Sequence, residues 1–359
     1  MSAHGVWTVA ALELRQRART SRWPAVLAVW FVVIAGVTVL TWLAINSSSN
    51  DVLAGPTLYD VTTFLVLALG MLVVPSLTAT SINGDREQGV LATLQTTLLT
   101  PADIVVGKLL ASWLVSLVFL AVSLPFLVWA WVSGGISIGS VLASLAVLAL
   151  VLAVVCAIGL MFSTLTARPV ASAVLTYLAM AALTFGTVIV FVLSFFLVDS
   201  REQVRYYGVP DSWWEQHQSV TPDDASSEPT VADCRHLTRE TEVIHTERIW
   251  WLLPLNPFVV VADAAPGRDV RQTTSSGGFT PMRYISIGAR AARAGADTRE
   301  RQECYVGSNA PEEEEPLQSG PVWPFGLGFL LVVGAGASAV AIRRTRTPVR
   351  RLPNGTRIA

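Results

Sequence analysis

Charge is scarce in this chain: 14% of its 359 residues are Asp, Glu, Lys or Arg, while 52% are apolar. An ordinary soluble domain carries about 25% charged residues. Lys108 is the single lysine among 25 basic residues, and there are three cysteines in all. Also missing is the phosphate-cradling G-x-x-x-x-G-K-[ST] loop. Gly107-Lys108 is followed by Leu109, and the position five before Gly107 is Ala102. Without that Gly-rich cradle the chain is not expected to bind or hydrolyse a nucleotide, and no enzyme activity or cofactor of its own is expected.

What the chain has is long apolar runs, about Trp23–Ile45, Leu58–Ile82, Leu109–Val132, Ile138–Phe162, Val170–Val198 and Val322–Ile342. Each can cross a hydrocarbon core of about 30 Å at 1.5 Å per residue. The expected class is therefore an all-α polytopic membrane protein with six transmembrane helices. A soluble enzyme, a nucleic-acid binder and a secreted disulfide scaffold are excluded for the chain as a whole. The first run is too long for the h-region of a cleavable signal, and an arginine-bearing amphipathic stretch precedes it. No span carries an ionisable residue at its centre, and Asp60 lies near the outer end of the second. Ion-coupled transporters need such groups, so an outside energy source becomes the question.

Placing both termini in the cytoplasm of a plasma membrane puts 13 basic residues on the inner segments: Arg15, Arg17, Arg19, Arg22, Arg86, Lys108, Arg168 and six arginines from Arg343 to Arg357. The short outer connections, 46–57 and 133–137, then carry none, as the positive-inside bias requires. The Arg-rich, Lys-poor usage suggests a GC-rich bacterial genome.

The expected organisation is an interfacial helix over 1–22, spans one to five over 23–198 with a cytoplasmic loop at 82–108, an extracytoplasmic block over 199–320, the sixth span at 321–343 and a basic tail over 344–359. In the first segment Val6 or Trp7, Ala10, Leu14 and Ala18 share a face, with Arg15, Arg19 and Arg22 opposite; this suits a helix lying on the inner leaflet. The external block has a net charge of −8. Its stretches TPDDASSEPT and NAPEEEEPLQSG are too polar to bury a core. Between them, 249–264 is apolar but too short to span. It reads either as a re-entrant or interfacial element, with Trp250 and Trp251 at headgroup level, or as a buried core strand. Cys234 and Cys304 could close a 70-residue loop or stay free thiols. His217, His236 and His245 share the block, but their spacings fit no compact metal pattern.

The most informative stretch is SINGDREQGVLATLQTTLLTPADIVVGKLLASW, 81–113. Asp85 with Gln88 three residues on reads as a helix start, and Val90, Leu91, Leu94 and Leu98 follow as an apolar stripe. Thr100-Pro101-Ala102-Asp103 reads as a second start, leading into the third span. On physics alone the first helix could simply park its apolar face on the bilayer.

This stretch resembles the signature of the ATP-binding cassette (ABC) transporter permeases of the type-2 export family. In that signature an acidic-Arg-Glu-x-Gly start runs through a leucine-rich helix to a closing Gly-Lys. Asp85, Arg86, Glu87, Gly89, Leu91, Leu94, Thr97, Asp103, Ile104, Gly107 and Lys108 match in type and spacing; Val90, Ala92, Leu98 and Pro101 depart from it. The Leu255-Asn256-Pro257 element before the last span is similar too. The resemblance implies two permease subunits, identical or different, in the lipid bilayer, and separate ATPase subunits that bind the ATP. It also implies that 85–98 couples ATP hydrolysis to outward movement of a lipid-like, drug-like or polymeric substrate. On this reading Gly107 allows tight packing, and Lys108 pairs with an inner-leaflet phosphate or with Glu87. Pro75 and Pro125 offer kinks, and Ser76, Thr78 and Thr80 either line a polar path or pack helices. A reading from another class is a non-transporting membrane scaffold whose external domain binds a partner.

Overall fold

Thr100 shows how the long helices begin. Its hydroxyl accepts the Asp103 amide at 3.2 Å while the Asp103 carboxylate accepts the Thr100 amide at 3.0 Å, and Pro101 fills the first helical position. This reciprocal cap satisfies two amides that a helix start would otherwise leave bare. The computed structural model describes residues 2–19, 22–47, 54–87, 99–216, 229–265, 280–296, 301–304 and 320–346. Among them are six helices long and apolar enough to cross a membrane: Trp23–Ser47, Ala54–Asp85, Pro101–Val132, Ile138–Leu165, Pro169–Val198 and Trp323–Thr345, here helices 1 to 6.

Helices 2, 3 and 4 form the core through residues such as Leu67, Met71, Phe119, Leu148 and Leu152. Helix 6 lies against helix 4, where Gly334 faces Val154, and a Cβ on Gly159 would collide with the Thr78 hydroxyl of helix 2. Gly134 and Gly135, both at positive φ, reverse the chain between helices 3 and 4. Helix 5 contains a π-helical turn at Ala182–Gly186.

The described residues divide into two compact units. The larger holds those within Met1–Ile189, Leu252–Ala289 and Pro321–Ala359; the smaller holds those within Val190–Trp251 and Arg290–Gly320. Within the 199–320 block, the described residues of Leu252–Ala289 thus group with the spanning helices.

The smaller unit also departs from an all-α fold. Strand β1, Asp199–Gly208, lies between β2, Arg235–Ile244, and β3, Arg301–Glu303. β1 and β2 are antiparallel from Asp199↔Ile244 to Gly208↔Arg235, and β1 and β3 are parallel from Tyr206↔Arg301. Val, Thr and Tyr in these segments suit a half-buried pleated surface. Cys234, just before β2, is disulfide-bonded to Cys304, just after β3, with Cα atoms 5.9 Å apart. Of the two polar stretches, 221–228 and 309–319 lie outside the described residues.

The apolar element at 249–264 is not a strand. It forms a 3-10 helix, Trp250–Leu255, and an α-helix, Pro257–Ala264, with Asn256 between them as the cap and Pro257 in the first position. Val259 to Ala264 are buried among the spanning helices, and Trp251 is exposed.

The N-terminal helix, Ala3–Ala18, packs much of its expected apolar face on protein, Ala10 being buried and Leu14 lying against the core. Gly5, Val9 and Ala10 are buried, whereas Trp7 is 58% exposed. The helix packs on helix 3 at Gly107, where a Cβ would lie 2.7 Å from Val9 Cβ and 2.9 Å from the Val6 carbonyl. Contact between backbones, rather than the apolar stripe alone, selects this face.

Candidate functional site: a buried charge network at Lys108

Lys108 sits two turns into helix 3 and is 1% exposed. A buried ammonium is tolerated when every proton finds an acceptor and an opposite charge is close. Its Nζ lies 2.7 Å from Asp85 Oδ2 and 2.9 Å from Glu13 Oε2, and it donates to the Ser81 carbonyl at 3.1 Å. Glu13 also receives Arg17 Nη2 at 3.2 Å. The same Arg17 nitrogen reaches the Leu77 carbonyl at 3.1 Å and Ser112 Oγ at 3.5 Å, while its Nη1 is buried with no hydrogen-bond partner. Two cations and two carboxylates make the cluster neutral. Burial raises the Glu13 carboxyl, but Lys108 and Arg17 outweigh it and hold the group below its ordinary range.

Three chain elements meet here: the N-terminal helix, the last turns of helix 2 and the first turns of helix 3. Asp85 and Lys108 flank residues 88–98, so the network fastens both ends of that connection. A second tie lies a turn away, where Asp103 Oδ1 accepts the Ser2 amide at 2.9 Å. Ile104 packs beside it with Ile82 and Leu160.

Several expectations need correction. Asp85 does not start a helix; it lies inside Ser81–Glu87. The amides near the start of that helix, Ile82 and Asn83, are taken by Ser163 Oγ of helix 4 at 3.0 and 3.2 Å. The Asp85 carboxylate is thereby free for Lys108. Lys108 in turn pairs with Asp85 and Glu13. Arg86 and Glu87 are described in backbone only, and Gly89, Leu91, Leu94 and Thr97, with the stripe they belong to, lie outside the described residues. Ser76 donates to the Val73 carbonyl and Thr78 to that of Val74, so both hydroxyls serve their own helix; Thr80 is exposed.

Leu255, Asn256 and Pro257 stand apart from the network. Asn256 Nδ2 donates to the Thr184 carbonyl at 2.7 Å and to Thr187 Oγ1 at 3.2 Å, at the π-helical turn of helix 5. A π turn displaces a backbone carbonyl from its usual partner, and the asparagine supplies a substitute. Of the three histidines in the 199–320 block, His236 packs against Tyr207, His245 lies between two glutamates and His217 is outside the described residues.

Glu13, Arg17, Ser81 and Ser163 are the members that sequence reasoning missed. A single acidic residue within the basic stretch LELRQRAR, four residues before an arginine, was the available signal. Two further buried carboxylates were also missed as caps. Asp60 accepts the Met282 and Arg283 amides, both at 2.9 Å, at the start of the helix Pro281–Ala294. Asp263 accepts the Val322 and Trp323 amides at 2.5 and 2.8 Å at the start of helix 6.

Six long apolar helices around one packed core define the class as a multi-pass helical membrane protein. Compared with known proteins, the chain matches no family model and no curated sequence.

Proposed function

We propose that this chain is the membrane permease subunit of an ABC-type exporter. A separate ATPase subunit binds and hydrolyses ATP, and two permease subunits together carry a lipid-like, drug-like or polymeric substrate outward. The termini and residues 82–108 face the cytoplasm of a plasma membrane; the smaller unit faces outside. The observation that carries this reading is the Lys108 network. A connection that merely parked on the bilayer has no need of a buried cation shared by Asp85 and Glu13 at its two ends. A connection that receives force from a partner does, because a displacement of 88–98 then moves helices 2 and 3 and the N-terminal helix together. The match of Asp85 to Lys108 with the type-2 export signature supports the same role.

The test pairs topology with coupling. A cysteine at Ser226 should react with an impermeant maleimide added outside, and one at Thr96 should not. Leu94→Asp places a charge in the proposed ATPase contact, where it is expensive to bury. With the cognate ATPase co-expressed, Leu94→Asp should abolish copurification and substrate-stimulated ATP hydrolysis while membrane insertion persists. Wild-type copurification and hydrolysis in that variant would reject the coupling role.

A further inference from the structure

His245 is 9% exposed and has an acidic partner on each ring nitrogen. Nδ1 lies 2.6 Å from Glu247 Oε1, in the 3-10 turn Thr246–Arg248 that follows β2. Nε2 lies 3.1 Å from Glu202 Oε1 and 2.9 Å from Ser200 Oγ, both on β1. Carboxylates only accept hydrogen bonds, and a neutral imidazole donates from one nitrogen alone. The two-sided arrangement is therefore complete only for the imidazolium, which donates at both nitrogens. In the neutral ring the shorter contact keeps its proton on Nδ1 toward Glu247. Nε2 then accepts the Ser200 hydroxyl, and its lone pair faces the Glu202 carboxylate.

The other elements around the histidine leave these groups as the ones that matter. Across from Ser200 and Glu202 on β2 stand Val243 and Thr241, which are uncharged. Asp199 and Arg201 alternate to the opposite face of β1, where Arg201 pairs with Glu242. The His245 amide donates to the Val198 carbonyl at 3.0 Å. Behind Glu247, Gly295 at φ +87 allows a close approach; a Cβ there would lie 2.5 Å from Glu247 Oε2. Burial raises the Glu247 carboxyl, but its own amide, His245 and the Ala296 amide outweigh that and hold it below its ordinary range. Glu247 therefore stays a carboxylate while the histidine changes state.

We propose that His245 is a proton-operated latch: as an imidazolium it ties Glu202 at the start of β1 to Glu247 in the turn after β2, and on losing its Nε2 proton to solvent it releases Glu202 but keeps Glu247. Histidine is the side chain suited to such a switch, so the latch answers to the acidity of the solvent that bathes the smaller unit. The turn it holds leads directly into Trp250–Leu255, so the latch fixes the point where the chain leaves the sheet.

Hydrogen exchange of the full chain in lipid nanodiscs at pH 5.5 and 8.0, corrected for intrinsic rates, tests this. Peptides covering 199–204 should be about two- to fivefold more protected at pH 5.5, the range of a partly exposed ion pair. The difference should vanish in His245→Gln, which mimics the neutral ring, and in Glu202→Gln, which removes the released partner. Should His245→Gln misfold, Glu202→Gln decides, because Glu202 is 41% exposed and its replacement leaves the buried pair intact. Equal protection at both pH values in the wild type, or a pH difference that survives in Glu202→Gln, overturns the proposal.

Discussion

Lys108→Met removes the cation that Asp85 and Glu13 share and leaves an apolar side chain of similar length in its place. Losing one partner of a buried ion pair costs about 3–5 kcal/mol, because the other charge is left uncompensated. Two features of the network reduce that figure. Glu13 keeps Arg17 at 3.2 Å, and the Asp85 side chain is 22% exposed and can recruit water. The expected loss is therefore about 2–4 kcal/mol. The double variant Lys108→Met/Asp85→Asn carries the diagnostic information. It restores neutrality, since Glu13 and Arg17 remain as a pair, and should recover stability to within about 1–2 kcal/mol of wild type. Denaturant unfolding of the purified protein in one detergent measures all variants on one scale. A single variant that loses less than about 1 kcal/mol, or a double variant no better than the single, would refute the account of a neutral network built on Lys108.

The network also fixes a pH dependence. The Glu13 carboxyl is depressed in the folded state, so its contribution is complete above the ordinary glutamate value of 4.5 and is lost as pH falls through the lower folded value. Acid titration should show an added loss as pH falls from 4.5 through that lower value, and Glu13→Gln should remove it.

Gly107→Ala should push the N-terminal helix off helix 3 at a cost of about 1–3 kcal/mol, since the new methyl meets the Val6 backbone as well as a side chain; crosslinking between the two helices checks it. Asp263→Ala leaves the Val322 and Trp323 amides without their acceptor and should cost about 1–3 kcal/mol, with Asp263→Asn milder; unfolding in the same detergent reads both. Replacing Cys234 and Cys304 by Ser opens a loop of 70 residues and should cost the smaller unit about 4 kcal/mol on the chain-entropy view. Limited proteolysis should then cut the smaller unit faster while the spanning helices stay protected.

Apolar run length read the six spanning helices from sequence, because uncharged runs of 20 residues have few alternatives in water or lipid. The Thr100–Asp103 start was equally legible, since all its hydrogen bonds are local. The contact that seats the N-terminal helix was not. Gly107 sets it by letting two backbones touch, and hydrophobic periodicity does not register a glycine on the partner helix. β1 and β2 were missed because DSREQVRYYG and RHLTRETEVI are polar enough to read as solvated chain, and their pairing joins residues up to 45 positions apart, Asp199 with Ile244. The Lys108 network escaped for a related reason. Each charge was visible, but Glu13 and Lys108 are 95 residues apart, beyond the reach of local rules.

Three helix starts share one physical property: another element supplies the cap. Ser163 caps Ser81–Glu87, Asp60 caps Pro281–Ala294 and Asp263 caps helix 6. The Ser2 amide, ahead of the N-terminal helix, is likewise taken by Asp103. A helix capped from its own sequence can move as a rigid rod with its hydrogen bonds intact. One capped from a neighbour must carry that neighbour along or leave amides bare, at about 1–3 kcal/mol each when buried. In this chain such ties occur near both ends of the 88–98 connection and at the starts of the last two long elements.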